Sequence, residues 1–188
     1  MLKLANAGLF AAVSTFAVPN AIAATDAKSD SELDRVRQLM AANDFESAKN
    51  VAAKTIERYS GGARNEDLPI IGDAYTQLGR IYFSQAAAHE SKGGAFQARM
   101  AYADARWAFL NAMTYLVADD EQAATALYEA GRCYAKLKSI EGDAEDNAIH
   151  TWRAVLRWYP DSKAGALARQ ALKEVERASV PVTSREGY

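Results

Sequence analysis

Along most of this chain, residues that can share one helix face recur three and four positions apart, and nowhere does an alternation of period two persist. Ile71, Ala74, Leu78, Ile81, Tyr82 and Gln85 keep those steps, as do Ala124, Leu127, Gly131, Tyr134 and Leu137. Three further sets follow: Ala105, Phe109, Ala112 and Leu116; Ala148, Trp152, Val155 and Tyr159; and Ala164, Leu167, Ala171 and Val175. Steps of three and four return side chains to one helix face, whereas a half-buried strand needs every second residue. The expectation is an all-α protein of five or more amphipathic helices without strands. The 49% hydrophobic composition, rich in alanine, agrees with it.

Punctuation between the periodic stretches supports this division. Ser29 and Glu32 form the S-x-x-E capping pattern ahead of a first helix, and Asp119 with Gln122 does similar work further on. Gly61-Gly62, Gly93-Gly94 and Gly142 fall where helices should stop, because glycine accepts the left-handed conformation of a helix C-terminus. Pro160-Asp161-Ser162 ends one helix and caps the next.

The N-terminus has a different character. Lys3 precedes an apolar run from Leu4 to Val18, then Pro19, then the small residues Ala21 and Ala23 around Ile22. That order predicts a cleaved signal peptide over residues 1–23, cut before Ala24 or, as second choice, before Thr25. The run is too short for a membrane anchor, which needs about 20 apolar residues. The expected domains are therefore the leader, a helical domain over 24–178 and a mobile tail over 179–188 that lacks a periodic face. The expected location is the periplasm or the medium.

Lys3 is the leader's one charged residue, so a mature chain would carry 21 basic and 24 acidic residues, net charge −3. That balance predicts no affinity for nucleic acid, and no later apolar stretch is long enough to span a membrane. Cys133 is the one cysteine, so no internal disulfide forms and a buried thiol is expected.

Within the helical pattern, Leu127, Ala130, Gly131 and Tyr134, followed by Ala148, Trp152, Val155 and Pro160, resemble the tetratricopeptide repeat. Tyr75, Leu78, Gly79 and Tyr82, followed by Ala105, Phe109 and Ala112, resemble it a second time. A degenerate copy runs through Leu33, Val36 and Met40 to Phe45, Ala48, Ala52 and Thr55. The stretch from Trp152 to Leu172 is similar to repeats of bacterial envelope proteins, including those that help assemble the outer membrane or coordinate cell-wall constriction. The resemblance implies antiparallel helix hairpins stacked as a short right-handed α-solenoid, and a protein-binding scaffold without catalysis. Close packing at each crossing is expected to set Gly79 against Ala105 and Gly131 against Ala148, with aromatic rings filling the remaining gap. Gly79 and Ala105 lie 26 residues apart, against about 12 in a standard repeat, so the middle hairpin should be about 10 Å longer than its neighbours.

Transferring the repeat register places Asp73, Thr76, Arg80 and Ser84, then Thr125, Tyr128, Arg132 and Lys136, on the concave face. The three cations imply a groove for an acidic or C-terminal peptide segment. The asparagines of the family's carboxylate clamp do not stand at the matching places. Elsewhere, His89 and His150 lack the spacing of metal ligands, and no phosphate-binding glycine loop or nucleophile motif occurs, so neither metal nor cofactor is expected. The acidic groups 119–121 and 141–146 read as helix starts, where negative charge is favourable. Trp152 reads as core, while Trp107 and Trp158 lie off the apolar stripes and are candidates for exposed contact. The partner is expected to be a protein or peptide, taken on the concave face or on the protruding hairpin around His89 to Gly94, with the oligomeric state open. The alternative is an enzyme or small-ligand carrier with its site between helices.

Overall fold

The computed structural model describes residues 21–116, 119–138 and 142–179, with side chains described from 31 to 178. These residues form seven helices and no strand: α1 (Ala21–Ala41), α2 (Phe45–Ser60), α3 (Leu68–Ser91), α4 (Ala95–Tyr115), α5 (Asp120–Leu137), α6 (Ala144–Trp158) and α7 (Lys163–Ser179). The fold is all-α, as the apolar spacing predicts. Residues 1–20 of the expected leader and 180–188 of the expected tail lie outside the described residues, while α1 runs across the expected cut before Ala24.

Helix ends follow local chemistry. Asp119 accepts a hydrogen bond from the Gln122 backbone N–H at 2.9 Å, and Asp44 one from Ser47 at 3.1 Å. Ser162 Oγ accepts from Gly165 N–H at 2.9 Å, just before α7 turns inward. Each bond satisfies a donor that the first helical turn leaves without a partner. After α2 and α3 the chain reverses through Gly62 (φ 96°) and Gly93 (φ 76°), a backbone region where a side chain would be strained. Two expectations are corrected. Ser29 does not start a helix, because the alanine-rich segment from Ala21 carries α1 upstream of it; Glu32 instead reaches α2, accepting from Thr55 Oγ1 at 3.2 Å and pairing with Arg58. Leu167 is exposed, since α7 buries Ala164 and Ala168 toward α5 and α6 and turns Leu167 outward.

Three antiparallel hairpins, α1/α2, α3/α4 and α5/α6, succeed one another, and α7 packs on both α6 and α5. In α3/α4, Gly72 sits against Leu116 and Gly79 against the ring of Phe109. Small residues seven apart on α3 thus meet large ones seven apart on α4, and the same register sets Ala86 level with Tyr102 in one core cluster. In α5/α6, Gly131 lies under the indole of Trp152, whose Nε1–H donates to Tyr128 O at 3.3 Å. The aromatic rings expected to fill the gap at each crossing are Phe109 and Trp152. Gly79 receives Phe109 and Gly131 receives Trp152, because a missing side chain on one helix makes the pocket that a buried ring on the other fills. Ala105 and Ala148 are buried beside these rings.

α3 and α4 have 24 and 21 residues, against 18 and 15 in α5 and α6. At 1.5 Å per residue the α3/α4 hairpin is about 9 Å longer. Between hairpins each even-numbered helix packs on the odd-numbered helix that follows it, α2 on α3, α4 on α5 and α6 on α7; the odd-numbered helices also approach one another, α1 on α3, α3 on α5 and α5 on α7, whereas the backbones of α2, α4 and α6 do not come close to one another. Cys133 is fully buried between α4 and α5 beside Phe109, and burial pushes its thiol up to about 12. A thiol that stays protonated and covered is a poor nucleophile. An aromatic disulfide reagent at pH 8 should therefore titrate no thiol in the folded protein and one per chain in denaturant; rapid reaction without denaturant would contradict this packing.

Candidate functional site

The eight residues expected on one concave face fall on α3 and α5, helices that touch, but they do not form a uniform groove. Asp73 is half-buried and accepts from Gln77 at 3.3 Å and from Arg37 of α1 at 3.4 Å. Thr76 is buried, its hydroxyl donating to Gly72 O at 2.9 Å, so it is closed to a partner. Arg80 is exposed, and among the described residues its side chain makes no hydrogen bond or ion pair. Ser84, one turn further, is half-buried. On α5, Thr125 donates to Glu121 O at 2.8 Å, and Tyr128 packs against the core shared with α6 and α7, where desolvation raises its phenol pKa.

The other two cations are already engaged. Arg132 lies 4.5 Å over the ring of Phe83 on α3 and pairs with Glu129 at 2.8 Å. Lys136 pairs with Glu90 at 3.0 Å and lies 5.6 Å from the Tyr102 ring. Glu90 also accepts from the Tyr102 hydroxyl at 2.8 Å. Burial works to raise the Glu90 carboxyl, but the hydrogen bonds from Tyr102 and Lys136 and the lysine charge together hold it below the ordinary range. Arg132 and Lys136 therefore tie α5 to α3 and α4. Their spacing in sequence could not reveal this, because Phe83, Glu90 and Tyr102, which tie them to α3 and α4, lie more than 30 residues away.

A second surface lies on α4. Of the large apolar residues that are exposed among the described ones, four belong to this helix: Phe96 (61%), Met100 (49%), Trp107 (54%) and Leu110 (37%). With half-buried Ala103 they are spaced four, three, four and three apart, which puts all five within about 40° of one line along the helix. The opposite side of α4 is the one that packs, through Ala98, Ala101, Ala105, Ala108, Phe109 and Ala112. Trp107 meets Tyr75 edge-on at 5.7 Å, and Arg99 covers the Phe96 ring at 5.1 Å. Sequence reasoning singles out Trp107 but misses the stripe around it, because α4 is apolar on two sides and the periodicity through Ala105, Phe109 and Ala112 belongs to the buried one. The four-three spacing was the available signal. Trp158 is exposed as expected, whereas Trp152 is buried.

Among the described residues no group of three or more His, Cys, Asp or Glu side chains is placed to hold a metal ion, and no helix is long and apolar enough to cross a membrane. Fold and surfaces together define a class, an all-α protein of successive helix hairpins with an exposed apolar stripe on α4. The sequence matches no family model, no curated protein and no solved structure.

Proposed function

We propose that this protein is a tetratricopeptide-like adaptor of the cell envelope, carried across the membrane by its leader, that binds a protein or peptide on the face of its odd-numbered helices. The observation that carries the reading is the packing pattern: each hairpin's second helix packs on the first helix of the next, and the backbones of successive first helices approach one another while those of the second helices α2, α4 and α6 do not. Hairpins related in this way stack into a short solenoid with its first helices lining one continuous surface, and such surfaces take extended segments of other chains. Arg80 is the open cation of that surface, and Ser84 continues it toward the end of α3. Thr76 is closed, and Arg132 and Lys136 hold neighbouring helices together, so attraction for an acidic segment concentrates at Arg80.

A photoreactive amino acid placed at Ser84 in the native host should give a discrete adduct, and Arg80→Glu in the same chain should weaken it. The same residue at Trp158 serves as an exposed control on α6. Mass spectrometry of the adduct should find this chain beginning at Ala24 or Thr25. No adduct at Ser84 above the Trp158 control would overturn the binding surface, and a chain retaining Met1 would overturn export.

A further inference from the structure

The stripe on α4 is a surface of a different kind from the one just proposed, and it carries its own inference. Apolar side chains spaced alternately four and three apart repeat every 3.5 residues on average, the spacing that keeps a seam facing a second helix over successive turns. Phe96 to Leu110 spans two such repeats, about 21 Å of helix. The backbones of α2 and α6 do not come close to α4, and the large side chains of the stripe are exposed, with Lys49 of α2 near enough to act on Asp104 at its flank. Isolated exposed apolar residues are ordinary, but four large ones aligned on one helix mark a surface that another element covers.

The flanks of the seam identify that element. On one flank stand Gln97, Asp104 and Asn111, and on the other Arg99 and Arg106. When two copies of a helix pair in parallel about a two-fold axis, each flank meets the opposite flank of the partner, offset by five residues. Arg99 and Asp104 are five apart, so the two-fold brings each arginine to the other copy's aspartate and forms the pair twice. An antiparallel pairing would set Asp104 against the other copy's Asp104, like against like, and leave Arg99 without the aspartate, since Arg106 is turned toward the Tyr134 ring of α5 at 4.8 Å. Asp104 is suited to an arriving cation: desolvation raises its carboxyl above the ordinary range, and Lys49 of α2 offsets this only in part. Ala103, at the centre of the seam, leaves room for the large side chains on either side of it.

We propose that the occupant of the α4 stripe is a second copy of this chain, joined in parallel through Phe96, Met100, Ala103, Trp107 and Leu110, with Arg99 of each copy paired to Asp104 of the other. A two-repeat seam is short, so the dimer is a reversible one. It uses the outer side of α4 and leaves the odd-numbered helices open, so it stands or falls independently of the adaptor reading.

Sedimentation equilibrium of the full chain from which the leader is removed tests it. A monomer–dimer equilibrium with a dissociation constant on the order of 10 µM is expected, as for other small, transient interfaces. Leu110→Glu should keep the helical circular dichroism spectrum and abolish the dimer. Arg99→Glu and Asp104→Arg should each weaken it about tenfold, and the two together should restore it, since the ion pair is only exchanged. A second measurement does not depend on the charge variants. Under mild oxidation, Leu110→Cys should crosslink to itself, whereas an antiparallel pair would place Leu110 opposite Phe96. A monomer up to about 500 µM, which is fifty times that constant, overturns the proposal. So does a dimer that Leu110→Glu leaves intact, and so does a dimer in which Leu110→Cys fails to crosslink.

Discussion

Replacing Gly131 by alanine should lower stability, the reverse of what this substitution does in an exposed helix. In a helix interior alanine is favoured over glycine by roughly 0.5–1 kcal/mol, because glycine loses more backbone freedom on folding. At position 131 a Cβ would lie 2.4 Å from Nε1 and 2.7 Å from Cδ1 of Trp152. The indole cannot swing away freely, since it is buried and its Nε1–H is bonded to Tyr128 O at 3.3 Å. Overpacking of a rigid contact costs about 1–3 kcal/mol or more, which exceeds the gain in helix propensity. Gly131→Leu, with three further carbons to place, should cost at least about 3 kcal/mol. For a chain of this size that lowers Tm by roughly 6–12 °C. Circular dichroism melts of the parent, Gly131→Ala and Gly131→Leu check both sign and size. An alanine variant more stable than the parent would mean that Trp152 is not seated on Gly131.

Phe109→Ala should be among the most damaging single truncations in the α3/α4 hairpin. The ring is fully buried against Gly79, in a cluster with Ala105, Ala130 and Cys133 and beside Tyr82 and Phe83. Its nearest small neighbours, Gly79, Ala105 and Ala130, have nothing to extend into the space it leaves. Buried Phe→Ala changes cost about 3–5 kcal/mol, rising with the cavity that remains, so the upper part of that range is expected here. The corresponding Tm decrease is roughly 8–20 °C. Trp158→Ala removes a larger ring, but one that is 58% exposed, and should change stability by less than about 0.5 kcal/mol. Denaturant unfolding of the two variants side by side gives the comparison; equal losses would contradict the burial described for Phe109.

Both predictions connect packing to function, because the rings seated on Gly79 and Gly131 set how each hairpin closes and therefore where its exposed faces point. Weakening either contact should loosen the register on which Arg80, Ser84 and the α4 stripe depend. The α4 stripe is exposed because the same helix buries its opposite side so fully.

What the sequence by itself determined was the helical class, several boundaries and the small positions at the crossings. Steps of three and four, Asp119 before α5, Ser162 before α7 and the glycines after α2 and α3 act within a few residues, so local chemistry suffices to read them. The buried thiol of Cys133 and the split between Trp152 inside and Trp107 and Trp158 outside were legible for the same reason.

Only the tertiary structure decided which residues meet. That the ring of Phe109 seats on Gly79 and the indole of Trp152 on Gly131 depends on the rotation of one helix about its axis relative to the next, which no spacing within either helix specifies. The same holds for the expected cation cluster. Arg132 and Lys136 share a helix face with a regular spacing, yet Phe83 and Glu90, brought in by the longer α3/α4 hairpin, engage them and leave Arg80 open. The stripe from Phe96 to Leu110 was written in the sequence as a spacing, but a spacing cannot say which side of a doubly apolar helix is covered. That was settled when α3 and α5 packed against Ala105 and Phe109 and left Trp107 facing out.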